Sequence, residues 1–378
     1  MLKILCVTNN YTPYTGGVVS SIQSCTSTLE KARNYVLIAT LDFTKKNLHD
    51  SSNVQRIYSP VKFCYKSNHM AIPWRSTHQL HNLISTFKPD IIHVHHPFLL
   101  GQAAQHIAKK LHMPIVFTYH TMYEHYLHYI PLPEWISKIA LQWRLKSFCN
   151  AVNGIIAPSS TIAQRVKAIA PHTPVTVIAS SLQPPFLPST EFALKSPKKP
   201  FKLLLVGRLV KEKNIPFLLD LFATLDQHNF QLTIIGYGAE TDALQGYAYN
   251  KLKISKKALQ FIIQPPKELI AHWYRQADLF VFPSFSDTQG IVLAEAMAAG
   301  TPVVAIDGAG QRDIIKQGIN GYIAQSVHEM RNYISLIAHD PALHQQLQYN
   351  AWQTAQEFMP DNTTKKLISW YQYIIDNH

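Results

Sequence analysis

Two cations stand close to the carboxyl end of an expected strand. The apolar run 201–206 is followed by Gly207, and Arg208 and Lys213 come next in "GRLVKEKNI". A helix is expected to begin near residue 213, and cations beside a helix N-terminus suit an anion such as a diphosphate. Lys213 and Glu212 could instead be ordinary solvated charges. Arg208 fits that alternative less well, because it directly follows the glycine that ends the strand.

A single carboxylate interrupts an otherwise apolar segment. Residues 291–299 are apolar except for Glu295, and a buried carboxylate needs hydrogen-bond donors. Those donors could be the hydroxyls of a ligand or a cation in a buried salt bridge. Just upstream, Ser286 and Gln289 have the spacing of a capping box, and Asp287 could simply favour the dipole of the helix that follows.

Histidines and glycines follow predicted strands in the first half of the chain. His93, His95 and His96 lie in "HVHHP", but we do not expect zinc, because alternate strand residues face opposite sides and no cysteine or acidic residue joins them. His120 directly follows a strand and could line a cleft or be a structural histidine. Glycines at residues 16–17 could let backbone N–H groups approach a phosphate, or could serve packing.

Short apolar runs that alternate with helical patterns must position these residues. The strand candidates are residues 2–8, 35–40, 90–95, 114–119, 154–159, 201–207, 230–236, 259–264, 278–284 and 302–306. Continuous Val/Ile/Leu strands, each followed by a segment of helix length, are typical of parallel sheets covered on both faces. Two such series predict an α/β protein with two doubly wound domains, and a ligand beyond the carboxyl ends of the strands, in a cleft between them.

The length and the proline content place the domain boundaries. A chain of 378 residues exceeds the size at which one core keeps growing. Residues 181–200 hold five prolines and no apolar periodicity, which is typical of a linker. We therefore predict an N-terminal domain over 1–182, a linker over 183–200, a C-terminal domain over 201–360, and a helix over 361–378 that could cross back to the first domain.

The positive charge is concentrated in the first half of the chain. Residues 1–185 hold 17 Lys and Arg against 6 Asp and Glu, whereas residues 186–378 hold 18 against 17. This asymmetry suggests that the first half meets an anionic surface, with a simple solubility charge as the alternative. No nucleic-acid-binding motif accompanies the charge, so we expect a membrane surface and no nucleic acid as partner.

The remaining composition indicates a cytoplasmic protein. The four cysteines form no C-x-x-C pair, which is typical of reduced, buried thiols. No apolar run has the length of a membrane span, and the N-terminus reads as a strand and not as a signal peptide. The protein is expected to be soluble or peripheral.

The segment "PEWISKIALQWRLKSF" (133–148) has the pattern of an interfacial helix. Apolar side chains recur in it at helical spacing, and cations flank them: Trp135, Ile136, Ile139, Ala140 and Trp143 with Lys138, Arg144 and Lys146. The alternative is that the apolar face packs against the protein's own sheet. The basic first half favours docking on an anionic membrane.

Taken together, the motifs resemble the retaining glycosyltransferases of family four, which have the GT-B fold of two Rossmann-like domains facing a cleft. The matching pieces run in family order over almost the whole chain: "GGV" (16–18), "HVHHP" (93–97), "TYHT" (118–121), "APSS" (157–160), "VGRLVKEKNI" (206–215), "IIGYG" (234–238) and "DLFVFPSFSDTQGIVLAEAMAAGTPVVA" (278–305). "YHTMYEHYLHYI" (119–130) and "TQG" (288–290) look most like bacterial diacylglycerol glucosyltransferases.

The resemblance implies how the second half would hold a nucleotide-sugar donor. Glu295 matches a glutamate that hydrogen-bonds the ribose hydroxyls. Asp287 matches an acid that contacts the donor sugar. Backbone N–H groups around Gln289, Gly290 and Ile291 would face the diphosphate.

The resemblance also implies roles for the remaining candidates. Arg208 and Lys213 would neutralise the diphosphate, His120 would border the transferred sugar, and Gly16 and Gly17 would lie near the phosphates. Fixed cations would then take the place of a metal, so neither a metal nor another cofactor is expected beside the nucleotide-sugar co-substrate.

The implied activity is transfer of a hexose, glucose from UDP-glucose, to a lipid such as diacylglycerol on the inner face of the cell membrane. Alternatives within the family are a phosphatidylinositol-type mannosyltransferase and a soluble glycosyltransferase of polysaccharide assembly. An alternative of another class is a sugar-nucleotide-binding protein without turnover. The sequence departs from the family where Asp287 replaces the usual glutamate, where "QPP" (264–266) replaces a glycine, and where "ASSLQ" (179–183) replaces an "NGV"-like turn.

Overall fold

The computed structural model describes residues 1–14, 16–43, 50–65, 68–124, 127, 133–197 and 199–378. The chain divides into two compact units. The first unit consists of Met1–Ser181 together with Pro360–His378, and the second consists of Leu182–Met359. Each unit has its own parallel sheet, as the alternation of apolar runs and helical patterns predicted.

The first unit contains nine of the described strands and five of the described helices before the chain leaves it. The strands are β1 (Lys3–Thr8), β2 (Tyr35–Leu41), β3 (Val54–Ile57), β4 (Val61–Tyr65), β5 (Asn68–Ile72), β6 (Ile91–Val94), β7 (Ile115–Thr118), β8 (Gly154–Ala157) and β9 (Val175–Val177). The helices are α1 (Gly17–Lys31), α2 (Ser76–Phe87), α3 (Leu100–Leu111), α4 (Glu134–Cys149) and α5 (Ser160–Ile169). The main sheet has the order β3-β2-β1-β6-β7-β8-β9, and β4 and β5 form a separate hairpin.

The second unit repeats the architecture with six strands. They are β10 (Phe201–Val206), β11 (Phe230–Gly236), β12 (Leu259–Ile263), β13 (Leu279–Phe282), β14 (Val303–Ile306) and β15 (Gly321–Ala324), in the order β12-β11-β10-β13-β14-β15. The helices are α6 (Ile215–Ala223), α7 (Thr241–Gly246), α8 (Lys267–Gln276), α9 (Ile291–Ala298), α10 (Gln311–Ile314), α11 (Val327–His339) and α12 (Pro341–Ala355).

Burial on both faces explains the composition of the central strands. Every residue of β6, β7, β8, β13 and β14 is buried. Parallel strands covered by helices on both faces must be apolar along their whole length. Polar residues that serve a ligand therefore collect where the strands end.

Five strands escaped the sequence analysis. They are β3, β4, β5, β9 and β15, each of only three to five residues. β9, with the sequence "VTV", is partly exposed along its length. Short strands that are not fully buried lack the continuous apolar run on which the predictions depended.

The last helix, α13 (Pro360–Asp376), belongs to the first unit. Its Leu367, Tyr371 and Ile374 are buried in the same hydrophobic cluster as Ile4 and Ile22. The hydroxyl of Tyr371 also lies 2.6 Å from Nδ1 of His93, at the end of a central strand. Helix α13 thus contributes both apolar contacts and a buried polar contact.

Residues 183–200, expected to be a linker, pack on the second unit. The ring of Phe192 lies 5.6 Å from that of Tyr349 and 5.4 Å from that of Trp352, centroid to centroid. The side chain of Gln348 accepts a hydrogen bond from the backbone N–H of Lys195 and donates one to its carbonyl. The segment contains only one short 3-10 helix, Pro184–Phe186, among its described residues, yet it packs against the fold.

We expect Tyr371→Phe to destabilise the protein by about 1–3 kcal/mol, because it leaves a buried ring nitrogen of His93 without its hydroxyl partner. Urea unfolding would measure the change. Tyr373→Phe, on the same helix but 48% exposed, is the matched control and should alter stability by less than about 0.5 kcal/mol. Equal stability of the two variants would contradict the prediction.

Candidate functional site

Three loops of the second unit meet at the carboxyl ends of three adjacent strands. β10, β13 and β14 are neighbours in the sheet, and the loops that follow them span residues 207–214, 283–290 and 307–310. Because parallel strands end at the same edge, residues far apart in sequence become neighbours there. Arg208, Lys213 and Asp287 all lie on these loops.

Lys213 and Asp287 form a close ion pair. The ammonium of Lys213 lies 2.6 Å and 2.8 Å from the two carboxylate oxygens of Asp287, and the two side chains are only 15% and 20% exposed. Burial acts to raise the pKa of Asp287, but the charge and hydrogen bonds of Lys213, with help from Arg208, bring it below its usual value. Lys213 is therefore not the solvated charge that its sequence context allowed.

Arg208 and Glu212 form a second, looser pair beside the first. Their closest charged atoms are 3.8 Å apart, and the side chain of Glu212 is only 4% exposed. Neither carboxylate oxygen of Glu212 has a hydrogen-bond partner among the described residues. A buried carboxylate needs a nearby cation, and Arg208 supplies it while keeping part of its own surface accessible.

Side-chain hydrogen bonds fasten the β13 loop to the β10 loop. The hydroxyls of Ser284 and Ser286 lie 3.4 Å and 3.1 Å from the carbonyl oxygen of Glu212. Asn214, in the left-handed region with a φ of 52°, donates from its amide to the carbonyl of Pro283 at 3.2 Å. Ser286 thus binds a neighbouring loop, whereas the sequence predicted that it caps a helix.

Helix α9 begins later than the capping-box prediction implied. Its first residue is Ile291, preceded by Gly290 with a φ of 74°, a conformation that L-residues rarely adopt. Among the described residues no side chain caps this end. The N–H of Leu293 donates back to the carbonyl of Gly290 at 2.9 Å, and the positive end of the helix follows directly on the loop that carries Asp287.

The β14 loop packs against the same segment through a glycine. The N–H of Gly310 donates to the carbonyl of Asp287 at 3.1 Å, and a β-carbon at Gly310 would come within 2.3 Å of the backbone of Gln289. Gln311 donates from its side chain to the carbonyl of Ser284 at 2.5 Å. The loop that carries Asp287 and Gln289 is therefore held on both sides.

Glu295 hydrogen-bonds a side chain that the sequence analysis did not consider. The hydroxyl of Tyr274, on α8, donates to its carboxylate at 2.9 Å. Burial raises the pKa of Glu295 to about 7, although this hydrogen bond opposes the shift. Glu295 also lines a cavity of about 290 Å³ within the second unit. Tyr274 lies 21 residues upstream, and no sequence spacing indicated the contact.

In the first unit, Gly16 and Gly17 stand at the beginning of α1. A β-carbon at Gly16 would approach the ring of Tyr14 to 3.2 Å, whereas one at Gly17 would meet no atom within 4 Å. Packing can account for glycine at position 16 but not at position 17. Close approach of a ligand to the backbone therefore remains a reason for Gly17.

The histidines in or just after β6 and β7 make hydrogen bonds to several partners, and Nδ1 of His96 accepts from the backbone N–H of Asn9 at 3.3 Å. His93 contacts the Tyr371 hydroxyl through Nδ1 and the Thr118 hydroxyl through Nε2, each at 2.6 Å. His95 Nδ1 lies 2.8 Å from His120 Nε2. Cys6 joins His93 and His95 within a 4.8 Å cluster, so the expectation that no cysteine accompanies these histidines was wrong. Both ring nitrogens of His93 are already engaged by hydroxyls.

Family comparisons cover nearly all of the chain. Residues 15–181 match the family described as Glycosyltransferase Family 4. Residues 188–354 match the family described as Glycosyl transferases group 1. Each half of the chain thus matches a glycosyltransferase family, and the protein is a glycosyltransferase.

This glycosyltransferase is similar to known proteins over most of its length. It is 28% identical over 347 residues to the alpha-monoglucosyldiacylglycerol synthase of Streptococcus pneumoniae, covering 88% of this chain and 77% of that protein. The synthase of the same name from Acholeplasma laidlawii is 25% identical over 401 residues, covering 100% and 98%. A GDP-mannose-dependent alpha-mannosyltransferase of Mycobacterium tuberculosis is 25% identical, covering 90% and 89%. The predicted resemblance is confirmed.

Solved structures with the same fold cover both units. Sucrose-phosphate synthase from Thermosynechococcus elongatus aligns with a TM-score of 0.83 and 19% identity over 100% of both chains. The Anabaena protein HepE in complex with UDP-glucose aligns with a TM-score of 0.73 and 17% identity, covering 99% of this chain and 100% of that one. The predicted GT-B fold class is confirmed.

Helix α4 of the glycosyltransferase has an exposed apolar face. Trp135 and Trp143 are 68% and 70% exposed, and Ile139 is exposed between them. Its buried residues are a different set: Ser137, Leu141, Leu145, Phe148 and Cys149. The alternative in which the tryptophan face packs on the sheet is therefore wrong.

The three basic residues of α4 differ in their surroundings. Lys138 and Lys146 are exposed. Arg144 instead donates to the carbonyl of Pro97 and lies 5.7 Å from the ring of Phe148. Arg144, expected to face a membrane, is held against the protein. In the described part of the chain, no helix is both long and apolar enough to cross a bilayer.

Glu295 should make stability depend on pH. Its pKa is about 7 in the folded protein against 4.5 for the ordinary group, so the folded state retains this proton more strongly. The free energy of unfolding should therefore fall as pH rises from about 4.5 to about 7, by at most about 3 kcal/mol from this group.

Glu295→Gln should remove this part of the pH dependence, because the amide oxygen can still accept from Tyr274. Melting temperatures at pH 5 and pH 8 would measure the change. Relative to the wild type, the variant should have a higher melting temperature at pH 8 than at pH 5. Glu268→Gln, an exposed change on α8, is the control. If the melting temperatures of the wild type and the Glu295→Gln variant changed with pH in the same way, Glu295 would not be the source of the pH dependence.

Proposed function

We propose that this glycosyltransferase transfers a hexose from a nucleotide diphosphate sugar to a lipid hydroxyl, with retention of configuration. The observation that carries the proposal is the convergence of Arg208, Lys213 and the uncapped start of α9 on the loop of Asp287. Two cations and a helix N-terminus suit a diphosphate leaving group.

The Lys213–Asp287 pair is compatible with a bound donor. An ammonium has three hydrogens, and Asp287 engages it through two oxygens. Lys213 can therefore turn its remaining hydrogen to a phosphate oxygen without giving up Asp287. Asp287, one methylene shorter than the glutamate usual in the family, would contact the donor sugar while fixing the ammonium.

The reaction itself follows from which carboxylates are already engaged. Asp287 is paired with Lys213, Glu212 is buried beside Arg208, and Glu295 accepts from Tyr274. We therefore infer no covalent glycosyl–enzyme step. The sugar–phosphate bond breaks with its electron pair passing to the diphosphate. The acceptor hydroxyl attacks from the same face, and its proton passes to the departing phosphate oxygen.

Glucose and diacylglycerol are the proposed donor sugar and acceptor. Support comes from the two alpha-monoglucosyldiacylglycerol synthases, which align over most of their length. UDP-glucose is supported by the bound donor of HepE. Glu295 would hold the ribose, His120 would contact the transferred sugar, and no metal is proposed, because fixed cations supply the positive charge.

Mass spectrometry of the reaction products tests the proposal. The donors are UDP-glucose, UDP-galactose and GDP-mannose, and each is offered with diacylglycerol and with phosphatidylinositol. Hexosyl-diacylglycerol from UDP-glucose is the expected product. A mannosylated phosphatidylinositol would replace the proposal by the mannosyltransferase alternative. UDP binding without any sugar release would indicate a binding protein.

Arg208→Ala should lower kcat/KM by about 10² to 10³, the scale for one preorganised charge that stabilises a leaving group. Lys211→Ala, a change at an exposed basic residue of the same loop, is the matched control. Near-normal turnover by a folded Arg208→Ala variant would remove this side chain from the site.

We further propose that the first unit docks on the anionic inner face of the cell membrane through α4. Trp135, Ile139 and Trp143 would enter the interface, with Lys138 and Lys146 near the headgroups. The β4–β5 hairpin supplies a second exposed apolar surface. Val61 pairs with Ile72 and Phe63 with Met70 across its strands, and all four side chains are exposed.

Co-sedimentation with vesicles tests the docking. The vesicles are prepared with and without phosphatidylglycerol, and binding is measured at low and at high salt. Replacing Lys138 and Lys146 by Ser should weaken binding to anionic vesicles by about 1 kcal/mol per lysine, and salt should weaken it further. Replacing Trp135 and Trp143 by Ser should weaken binding at any salt. Val327→Ser with Leu336→Ser, exposed apolar changes in the second unit, is the control. Equal binding to neutral and anionic vesicles would exclude the electrostatic contribution.

A further inference from the structure

His95 is buried and in contact with His120. It is 2% exposed and follows β6, whereas His120 is only partly buried and follows the neighbouring strand β7. The distance from His95 Nδ1 to His120 Nε2 is 2.8 Å, and the two ring planes differ by 23°. The nearly coplanar rings are well placed for an N–H···N hydrogen bond.

Such a bond requires one neutral ring to donate and the other to accept. Burial lowers the pKa of both histidines well below the usual value, so both are neutral at ordinary pH. Either His95 donates from Nδ1–H, or His120 donates from Nε2–H. In the second case His95 must carry its own proton on Nε2.

The surroundings of His95 Nε2 distinguish the two cases. This atom is buried and has no hydrogen-bond partner among the residues that the structure describes. A proton on it would be an orphaned buried N–H, which folded proteins rarely tolerate, whereas a bare lone pair there leaves no donor unsatisfied. His95 therefore carries its proton on Nδ1 and donates it to His120.

We propose that His95 is a positioning residue that holds His120 in the Nδ1–H tautomer. Because Nε2 of His120 is occupied by His95, only its Nδ1 can meet another group. That nitrogen then offers a hydrogen-bond donor and not a base. The consequence for catalysis rests on the proposed function, in which His120 contacts the transferred sugar: the contact would be donation of a hydrogen bond to a sugar oxygen.

Nitrogen NMR of histidine-labelled protein tests the tautomer without any assay of activity. Long-range ¹H–¹⁵N correlations distinguish Nδ1–H from Nε2–H, and the spectrum of His120→Gln assigns the signals. We expect the Nδ1–H form for His120 in the wild type. In His95→Leu we expect a shift toward the Nε2–H form that free histidine prefers.

Kinetics of matched variants test the consequence. Asn at position 95 can place an amide N–H near the position of Nδ1–H, whereas Leu cannot donate. We expect kcat/KM for the nucleotide sugar to fall at least about 10-fold in His95→Leu, within the range for a lost positioning contact. His95→Asn should recover most of that loss at a similar melting temperature.

The outcomes separate this inference from the proposed function. An Nε2–H signal for His120 in the wild type overturns the inference, as does an Nδ1–H signal that persists unchanged in His95→Leu. Equal kinetic losses in the Leu and Asn variants would also overturn it. The expected tautomers in a protein that transfers no hexose would sustain the inference and refute the proposed function.

Discussion

The ion pair between Lys213 and Asp287 joins the loops that end β10 and β13, and the rest of the site depends on it. Two serine hydroxyls bind the β10 loop from the β13 side, and Gly310 secures the β13 loop from the β14 side. The loop that leads into α9 is thereby fixed to the loop that carries both cations. An electrostatic site is effective when its charges are already in place before the ligand arrives, and these loops satisfy that condition through contacts among themselves.

The site also shows how charges can be buried without being cancelled. Arg208 and Lys213 each lie beside a carboxylate, so the cluster has little net charge. The side chain of Arg208 nevertheless stays 29% exposed, and Lys213 has one ammonium hydrogen more than the two oxygens of Asp287 that it meets. Glu212 and Asp287 can therefore be understood as orienting groups, each of which sets the direction of a cation.

The sequence predicted the features that depend on residue type along a continuous stretch, and it failed where distant residues meet. Ten strands were recognised from their apolar runs, which burial on both faces demands of the central strands. The short, partly exposed strand β9 carried no such signal.

Asp287 and Glu295 were singled out from local context and family resemblance. The contact of Tyr274 with Glu295, and the role of Ser286 in joining two loops, required the tertiary structure because neither has a periodic signature. The linker was misjudged because proline content reports on regular structure and not on packing.

The position of α13 bears on how the protein is made. The first unit contains Met1–Ser181, but its core also includes Leu367, Tyr371 and Ile374. During synthesis these residues leave the ribosome only after every residue of the second unit. The first unit must therefore wait, with part of its apolar surface uncovered, until the chain has passed through the whole second unit. The unit whose translation begins first is therefore the last to have all of its core residues available.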